Sequence, residues 1–188
     1  MNSPNGQLFA SHYVPMTKEE AKKKIQSIVR RVEKMIPLTY VENLPPIDTK
    51  NPDIPQWHDF EDEIWIKGSN IDQILREHTS LRKDKSLLDS FLSIATNRNA
   101  KRGRQIFIIL LGYKHCAEYA PFLIKQIDDP FVDGHIISTL NKMRAYQYTS
   151  LIMPFTTDKI AWIRNEAKRY VSRSRHITSG STSPEKVG

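Results

Sequence analysis

Apolar residues between positions 69 and 171 recur at the spacing of α-helices, in segments of about 10 to 14 residues separated by short polar turns. One segment places Leu87, Leu88, Phe91 and Leu92 on a single helix face. A helix with one apolar face has to bury that face against neighbouring helices. The pattern therefore predicts an all-α fold. Its helices are predicted to begin near Ser69, Asp84, Ala100, Ala117, Phe131, Tyr146 and Asp158, and the last is predicted to end near Val171.

A separate helix is predicted over residues 17–36. Thr17 and Glu20 have the spacing of a capping box, in which each side chain accepts from the other residue's backbone N–H. Pro37 ends the helix. One stripe of the helix is apolar: Ala21, Ile25, Ile28, Val29, Val32 and Ile36. The basic residues fall mainly off that stripe: Lys22, Lys23, Lys24, Arg30, Arg31 and Lys34.

Residues 37–68 form a proline-rich, acidic and aromatic segment outside the repeating pattern. Its five prolines exclude a regular helix over residues 37–56 and favour an extended path. Because tryptophans do not stay fully exposed, we expect the part after Gln56 to fold back onto the core as a short strand or helical turn. We predict a flexible N-terminus over 1–16, one helical domain over 17–171 with repeats over 69–171, and a disordered tail over 172–188.

Two helix starts between residues 100 and 171 share a pattern. Phe131-Val132-Asp133 and Trp162-Ile163-Arg164 each follow an acidic turn and open a helix. In this pattern residues 100–171 resemble HEAT-like repeats, and Arg164 matches the arginine of the family pattern. Asp133 takes the same place and does not match. The resemblance implies a short α-α superhelix of stacked antiparallel helix pairs that acts as a binding scaffold. The concave face would then carry Lys101, Arg104, His135, Lys142, Arg164 and Lys168.

Relatives of this architecture include toxin-neutralising immunity proteins and DNA-binding alkylpurine glycosylases, and no motif assigns the chain to either group. The chain has 39% hydrophobic and 26% charged residues, and no apolar run approaches the roughly 18 residues of a membrane span. We therefore expect no membrane partner. Met1-Asn2-Ser3-Pro4 leads into no apolar segment, and Cys116 is the single cysteine. We expect no secretory signal, no disulfide and a cytoplasmic location.

No pattern of catalytic residues emerges from the sequence. Gly103 and Gly112 are isolated rather than part of a phosphate-binding loop, and Cys116 follows His115 directly, so the two side chains point apart on a helix. A thiolate zinc site needs more than one cysteine. We therefore predict a protein that is not an enzyme and needs no cofactor.

The first candidate surface combines acidic and aromatic residues, a combination typical of protein interfaces with aromatic anchors. It consists of Trp57, Asp59, Phe60, Glu61, Asp62, Glu63 and Trp65. Two alternatives remain open here: the aromatic residues cover the core while the acidic ones are solvated, or the carboxylates bind a divalent metal. Binding to another protein, in a neutralising or scaffold role, is the leading prediction for function.

The second candidate surface is basic and would contact phosphates. The chain carries a net charge of +7, and the segment 98–128 has six basic and two acidic residues. Arg98, Lys101, Arg102 and Arg104, together with Lys142, Arg164, Lys168 and Arg169, would form a stripe across successive helices. The alternative for this stripe is an ordinary solvated face. Nucleic-acid binding through it is the second prediction for function.

Overall fold

The computed structural model describes residues 15–45 and 56–179, and these ranges confirm the all-α prediction. They contain eight α-helices, short 3-10 helices and no strand. The α-helices are α1 Lys18–Met35, α2 Asp59–Glu77, α3 Lys85–Thr96, α4 Gln105–Leu110, α5 Ala120–Ile124, α6 Asp133–Met143, α7 Thr149–Ile152 and α8 Ala161–Ser179. The 3-10 helices span Thr79–Lys83, Arg98–Arg104, Lys114–Tyr119, Tyr146–Tyr148 and Met153–Thr157.

Helix α1 forms as the sequence predicts. The backbone N–H of Thr17 donates to the Glu20 carboxylate over 2.8 Å, and the Glu20 N–H donates to the Thr17 hydroxyl over 3.3 Å. The helix ends at Met35, just before the proline at 37. Ala21, Ile25, Val29 and Val32 are buried on its inner side. A capped, amphipathic helix of this kind draws most of its stability from the packing of that face.

Helix α2 overturns the prediction of a short strand or turn after Gln56. It begins at Asp59, and Ser69 lies in its middle instead of capping a new helix. The start is set by Glu61, whose carboxylate accepts from the backbone N–H of His58 over 2.7 Å. A continuous buried stripe then fixes the rest of the helix: Ile64, Gly68, Ile71 and Leu75. Gly68 allows α2 to approach α4 closely, since a Cβ there would lie 2.2 Å from Ile106.

The later helices follow the predicted order with changed boundaries. The helices predicted near Ala100, Ala117 and Tyr146 each form as a 3-10 turn joined to a short α-helix. Helix α8 begins at Ala161 and continues to Ser179, so the predicted tail boundary after Val171 is wrong. Residues 180–188, and residues 1–14 of the predicted flexible N-terminus, lie outside the described residues.

One apolar core joins the helices from α1 to α8. It extends from Ala21 to Tyr170, and Phe91 packs against Phe107 at its centre with ring centroids 6.1 Å apart. No helix in the described ranges is long and apolar enough to cross a membrane. The shared apolar core packs the helices into one bundle.

A buried ion pair crosses the bundle between α3 and α6. Arg104 is 0% exposed, donates to the carbonyl of Ala95 over 3.1 Å and pairs with the Asp129 carboxylate. Burial lowers the pKa of the Arg104 guanidinium, and the charge of Asp129 opposes that effect. The other Asp129 oxygen accepts from the backbone N–H of Phe131 over 2.9 Å. The pair therefore fixes the turn that leads into α6.

We predict that Asp129→Ala destabilises the fold by about 3 kcal/mol or more, because the guanidinium of Arg104 stays buried without its counter-charge. The double variant Arg104→Met with Asp129→Leu should recover part of that loss. Urea denaturation at neutral pH measures both changes.

Asp128→Ala is the matched control, since the neighbouring Asp128 pairs with Arg98 in solvent. It should leave the free energy of unfolding nearly unchanged. Equal effects of the two alanine substitutions would contradict a structural role for the buried pair.

Candidate protein-docking cleft

The structure divides the predicted acidic and aromatic surface into buried and exposed parts. Glu61 is 0% exposed, and its second carboxylate oxygen accepts from the backbone N–H of Arg102 over 2.8 Å. It therefore ties the start of α2 to the segment before α4 and is not available to a partner, which corrects its place in the predicted surface. Asp59, Asp62 and Glu63 are exposed on the outer side of α2.

The aromatic residues of that surface pack against one another, against His58 and against the core. Trp57 and Trp65 meet edge to face with centroids 5.7 Å apart, and Phe60 stacks on His58 at 5.4 Å. Trp57, Phe60 and Trp65 are half-buried. Trp65 and Phe60 contact the core, as one of the alternatives expected. No group of three His, Cys, Asp or Glu side chains that could hold a metal ion occurs in the part of the chain that the structure describes.

The predicted basic stripe is not a continuous surface. Lys101 and Arg104 are buried, which corrects their assignment as phosphate contacts. Arg98 pairs with Asp128 at 2.6 Å, and Arg102 donates to the carbonyl of Gln56 over 2.7 Å. These four cations are thus engaged within the fold.

The remaining predicted basic residues lie on α6 and α8. Half-buried His135 meets Trp162 edge to face at 5.2 Å, and Arg164 donates to the carbonyls of Asp158 and Lys159 near the start of α8. Lys142 is exposed. Lys168 is exposed and lines a groove beside α8. Arg164 therefore has a structural role, whereas Lys142 and Lys168 remain at the surface.

A cleft of about 550 Å³ opens between the segment 37–45 and the turn before α6. We call it the Tyr40 cleft, and its lining residues are Tyr40, Arg98, Asn99, Asp128, Asp129, Pro130 and Phe131. The sequence places Arg98 at a surface but does not indicate Tyr40 and Asn99, and the segment that carries Tyr40 has no periodicity. The Asp-Asp-Pro-Phe sequence at 128–131 marked the turn without indicating a cleft.

Side chains from the 3-10 helix Arg98–Arg104 hold the segment 37–45 in place. The Asn99 amide donates to the carbonyls of Pro37 and Leu38 over 2.9 and 3.1 Å. The Lys101 ammonium donates to the carbonyls of Val41 and Asn43 over 2.9 and 3.3 Å. An irregular segment cannot satisfy its own backbone groups, so these four bonds replace those of a helix.

The Lys101 ammonium also lies between the two rings of the cleft. It is 5.4 Å from the centroid of Tyr40 and 5.4 Å from that of Phe131. Arg102 covers Phe131 with its guanidinium 4.5 Å from the centroid. Cations at such distances are attracted to aromatic faces. The cleft wall is thus fixed by buried positive charge rather than by apolar packing alone.

Lys101 adopts a backbone conformation that side chains other than glycine rarely take, with φ 46° and ψ −127°. A non-glycine residue in such a region costs about 1–3 kcal/mol. The hydrogen bonds of its ammonium offset that cost. Strain of this kind is concentrated at positions where the fold has to aim a particular side chain, here toward the cleft wall.

Burial shifts the pKa of three side chains that could act as nucleophile or base. Burial raises the pKa of the Cys116 thiol to about 11, so a reactive thiolate is disfavoured at neutral pH. Burial, with Lys142 nearby, lowers the pKa of His135 to about 4. Burial, together with the charges of Asp158 and Asp129, raises the pKa of Asp133 to about 6.

No protein-family profile matches the chain, and neither the curated proteins nor the solved structures yield a match to it. The resemblance to HEAT-like repeats therefore stays a prediction.

We predict that Lys101→Ala destabilises the protein more than Lys101→Gly. Both variants lose the hydrogen bonds to Val41 and Asn43, but glycine takes up the positive φ without strain, whereas alanine does not. The difference should be about 1 kcal/mol in urea denaturation. Equal losses, or a larger loss for glycine, would show that the backbone at position 101 is not strained.

We predict that Asp133→Asn stabilises the protein at pH 7 and that the gain disappears near pH 4. The raised pKa of Asp133 means that the folded state loses stability as pH rises from about 4 through about 6, and asparagine removes that loss. The gain should be roughly 1 kcal/mol, allowing for partial solvent screening. Urea denaturation at pH 7 and pH 4 measures it.

His135→Gln provides the opposite case. Because the pKa of His135 is lowered, the folded state loses stability as pH falls from 6.5 through about 4, and glutamine should lessen that loss. If the free energies of unfolding of Asp133→Asn and His135→Gln changed with pH in the same way, both pKa assignments would be contradicted.

Proposed function

We propose that the chain is a non-catalytic helical module that binds another protein through the Tyr40 cleft. The observation that carries the proposal is the pairing of exposed apolar side chains with a cleft of mixed lining. Leu38 is 99% exposed and Tyr40 is 41% exposed, although both are large apolar residues. They are close in sequence within the segment that forms one wall of the cleft, and an exposed apolar patch next to a concavity is typical of an interaction site.

The composition of the cleft resembles the centre and rim of a protein interface. Pro130 and the rings of Tyr40 and Phe131 provide apolar contact area. The Arg98–Asp128 ion pair and Asn99, which are bonded within the fold, form a polar border around it. A volume of about 550 Å³ is enough for a few side chains rather than a whole domain. The partner chemistry that fits is an extended segment with an apolar or aromatic anchor and polar neighbours.

Two further observations support a binding role rather than an enzymatic one. The Cys116 thiol has a pKa of about 11, and His135 packs against Trp162, away from the groups that line the cleft. The resemblance to HEAT-like repeats favours the same class, because such repeats usually act as binding scaffolds. In its more specific form, the proposal is that the chain acts in the cytoplasm and neutralises its protein partner, as immunity proteins do.

The proposal predicts that peptides selected from a random display library on the wild-type protein bind at least tenfold more weakly to Tyr40→Ala. An aromatic anchor in an interface centre contributes at least about 1.4 kcal/mol, which corresponds to that factor. Leu38→Ser should weaken the same peptides in the same direction. Fluorescence anisotropy with the selected peptides measures both affinities.

Leu151→Ser is the matched control, since Leu151 is an exposed leucine of α7, outside the cleft lining. It should leave peptide affinity unchanged, and circular dichroism should show that all three variants keep their helices. Peptides that lose affinity for Asp62→Lys but not for Tyr40→Ala would overturn the cleft assignment and move the docking site to the acidic face of α2.

A further inference from the structure

Helix α1 carries a second surface with a different chemistry, separate from the Tyr40 cleft. The 100° rotation per residue places five cations within an arc of about 120° on its outer side. We call this set the basic face of α1, and its members are Lys23, Lys24, Arg30, Arg31 and Lys34. All five are exposed. Glu33 falls outside the arc, and the Glu20 carboxylate is engaged with Thr17.

The two arginines of this face differ from most of the others in the fold. No hydrogen bond or ion pair joins the side chain of Arg30 or Arg31 to another residue within 15–45 and 56–179. Elsewhere, eight arginines donate to carboxylates, carbonyls or amides of the protein: Arg76, Arg82, Arg98, Arg102, Arg104, Arg164, Arg169 and Arg173. A guanidinium with five donors and no internal acceptor is available to an external one.

The basic face continues into a groove shared with α2. The groove has a volume of about 480 Å³, and α1 contributes Lys24 and Arg31 to it. Helix α2 adds Lys67 together with the amides of Asn70 and Gln73. The groove also contains the Glu77 carboxylate and the apolar side chains of Met16, Ile28 and Ile74. Its three cations and two amide groups outnumber that one carboxylate, and phosphate oxygens accept from both kinds of donor.

We propose that the basic face of α1 binds the phosphate backbone of double-stranded nucleic acid. From Lys23 to Lys34 the helix rises about 17 Å, which is about half of one helical turn of a duplex along its axis, so the face can contact several backbone phosphates. Contacts of this kind are independent of base sequence and are governed by the release of counterions. This surface is distinct from the one that carries the proposed protein-binding function.

Three other occupants fit the face less well. A membrane-surface helix inserts an apolar face, but the apolar side chains of α1, among them Ile25 and Val29, are buried in the core. A protein interface has an apolar centre, and the large apolar residues exposed in the described chain lie outside α1. Single strands are held by stacking on aromatic rings, and α1 has none.

The test is a fluorescence titration of a mixed-sequence 20-base-pair DNA duplex at several salt concentrations. The wild-type protein should bind with an affinity that falls steeply with salt. The variant Lys23→Ala, Arg30→Ala, Lys34→Ala should bind at least tenfold more weakly at 100 mM salt. The slope of log affinity against log salt should decrease by about 3, since each lost phosphate contact removes about 0.9.

A charge-matched control separates the face from the overall charge of the protein. Lys83→Ala, Lys114→Ala, Lys125→Ala removes the same three charges at exposed positions outside α1 and should keep near wild-type affinity. Tyr40→Ala should bind the duplex normally, so failure here is distinguishable from failure of the protein-binding proposal.

Four outcomes would overturn the proposal. The first is that the wild type does not bind the duplex at 50 mM salt, and the second is that the control variant loses as much affinity as the α1 variant. The third is that the α1 substitutions weaken binding to phosphatidylserine vesicles as much as they weaken duplex binding. The fourth is that they weaken binding to polyaspartate as much. The third would assign the face to a membrane surface and the fourth to an acidic protein. Arg30→Glu alone, with the helical signal retained, repeats the test with a smaller change to the fold.

Discussion

The buried ion pair between Arg104 and Asp129 is the interaction on which the surface of this protein depends. Arg104 also donates to the last turn of α3 through Ala95, and Asp129 also holds the backbone of Phe131. One pair of charges thus links the end of α3 to the turn before α6. Because the ring of Phe131 forms part of the Tyr40 cleft, a loss of the pair would change the shape of the cleft as well as the stability of the core.

Buried charges in this fold serve mainly the segments that are not regular helices. The segment 37–45 is held by Asn99 and Lys101, and the start of α2 is held by Glu61, whose carboxylate bridges His58 and Arg102. Regular helices satisfy their own backbone groups, whereas irregular segments need side-chain partners. Lys101 and Arg104 therefore point inward, where the backbone requires them, whereas Arg98 pairs with Asp128 in solvent.

The sequence predicts the helices better than it predicts the direction of the charges. The stripe on α1 and its capping box follow from periods of three and four residues, and both form as expected. The start of α2 was missed because histidine is an uncommon first residue of a capping box, although Glu61 has the right spacing. Arg104 and Asp129 are far apart in sequence, so no local pattern could show that this cation is buried and paired.

Five exposed cations lie on the outer side of α1 for a related physical reason. The backbone groups of a long helix bond to one another, so the cations on its outer side are not needed as partners and remain available. The packing of Val29 and Val32 in the core fixes the direction in which these cations point. A ligand that binds this face need not order the backbone and restricts only long side chains, a cost of about 0.5–1.5 kcal/mol each. The acidic residues exposed on α2 have a similar origin but lie beside half-buried aromatic rings, so the two helices offer surfaces of opposite charge with different chemistry. Together, the two proposals predict a protein that holds two kinds of partner at once, one on the rigid basic helix and one in the separate Tyr40 cleft.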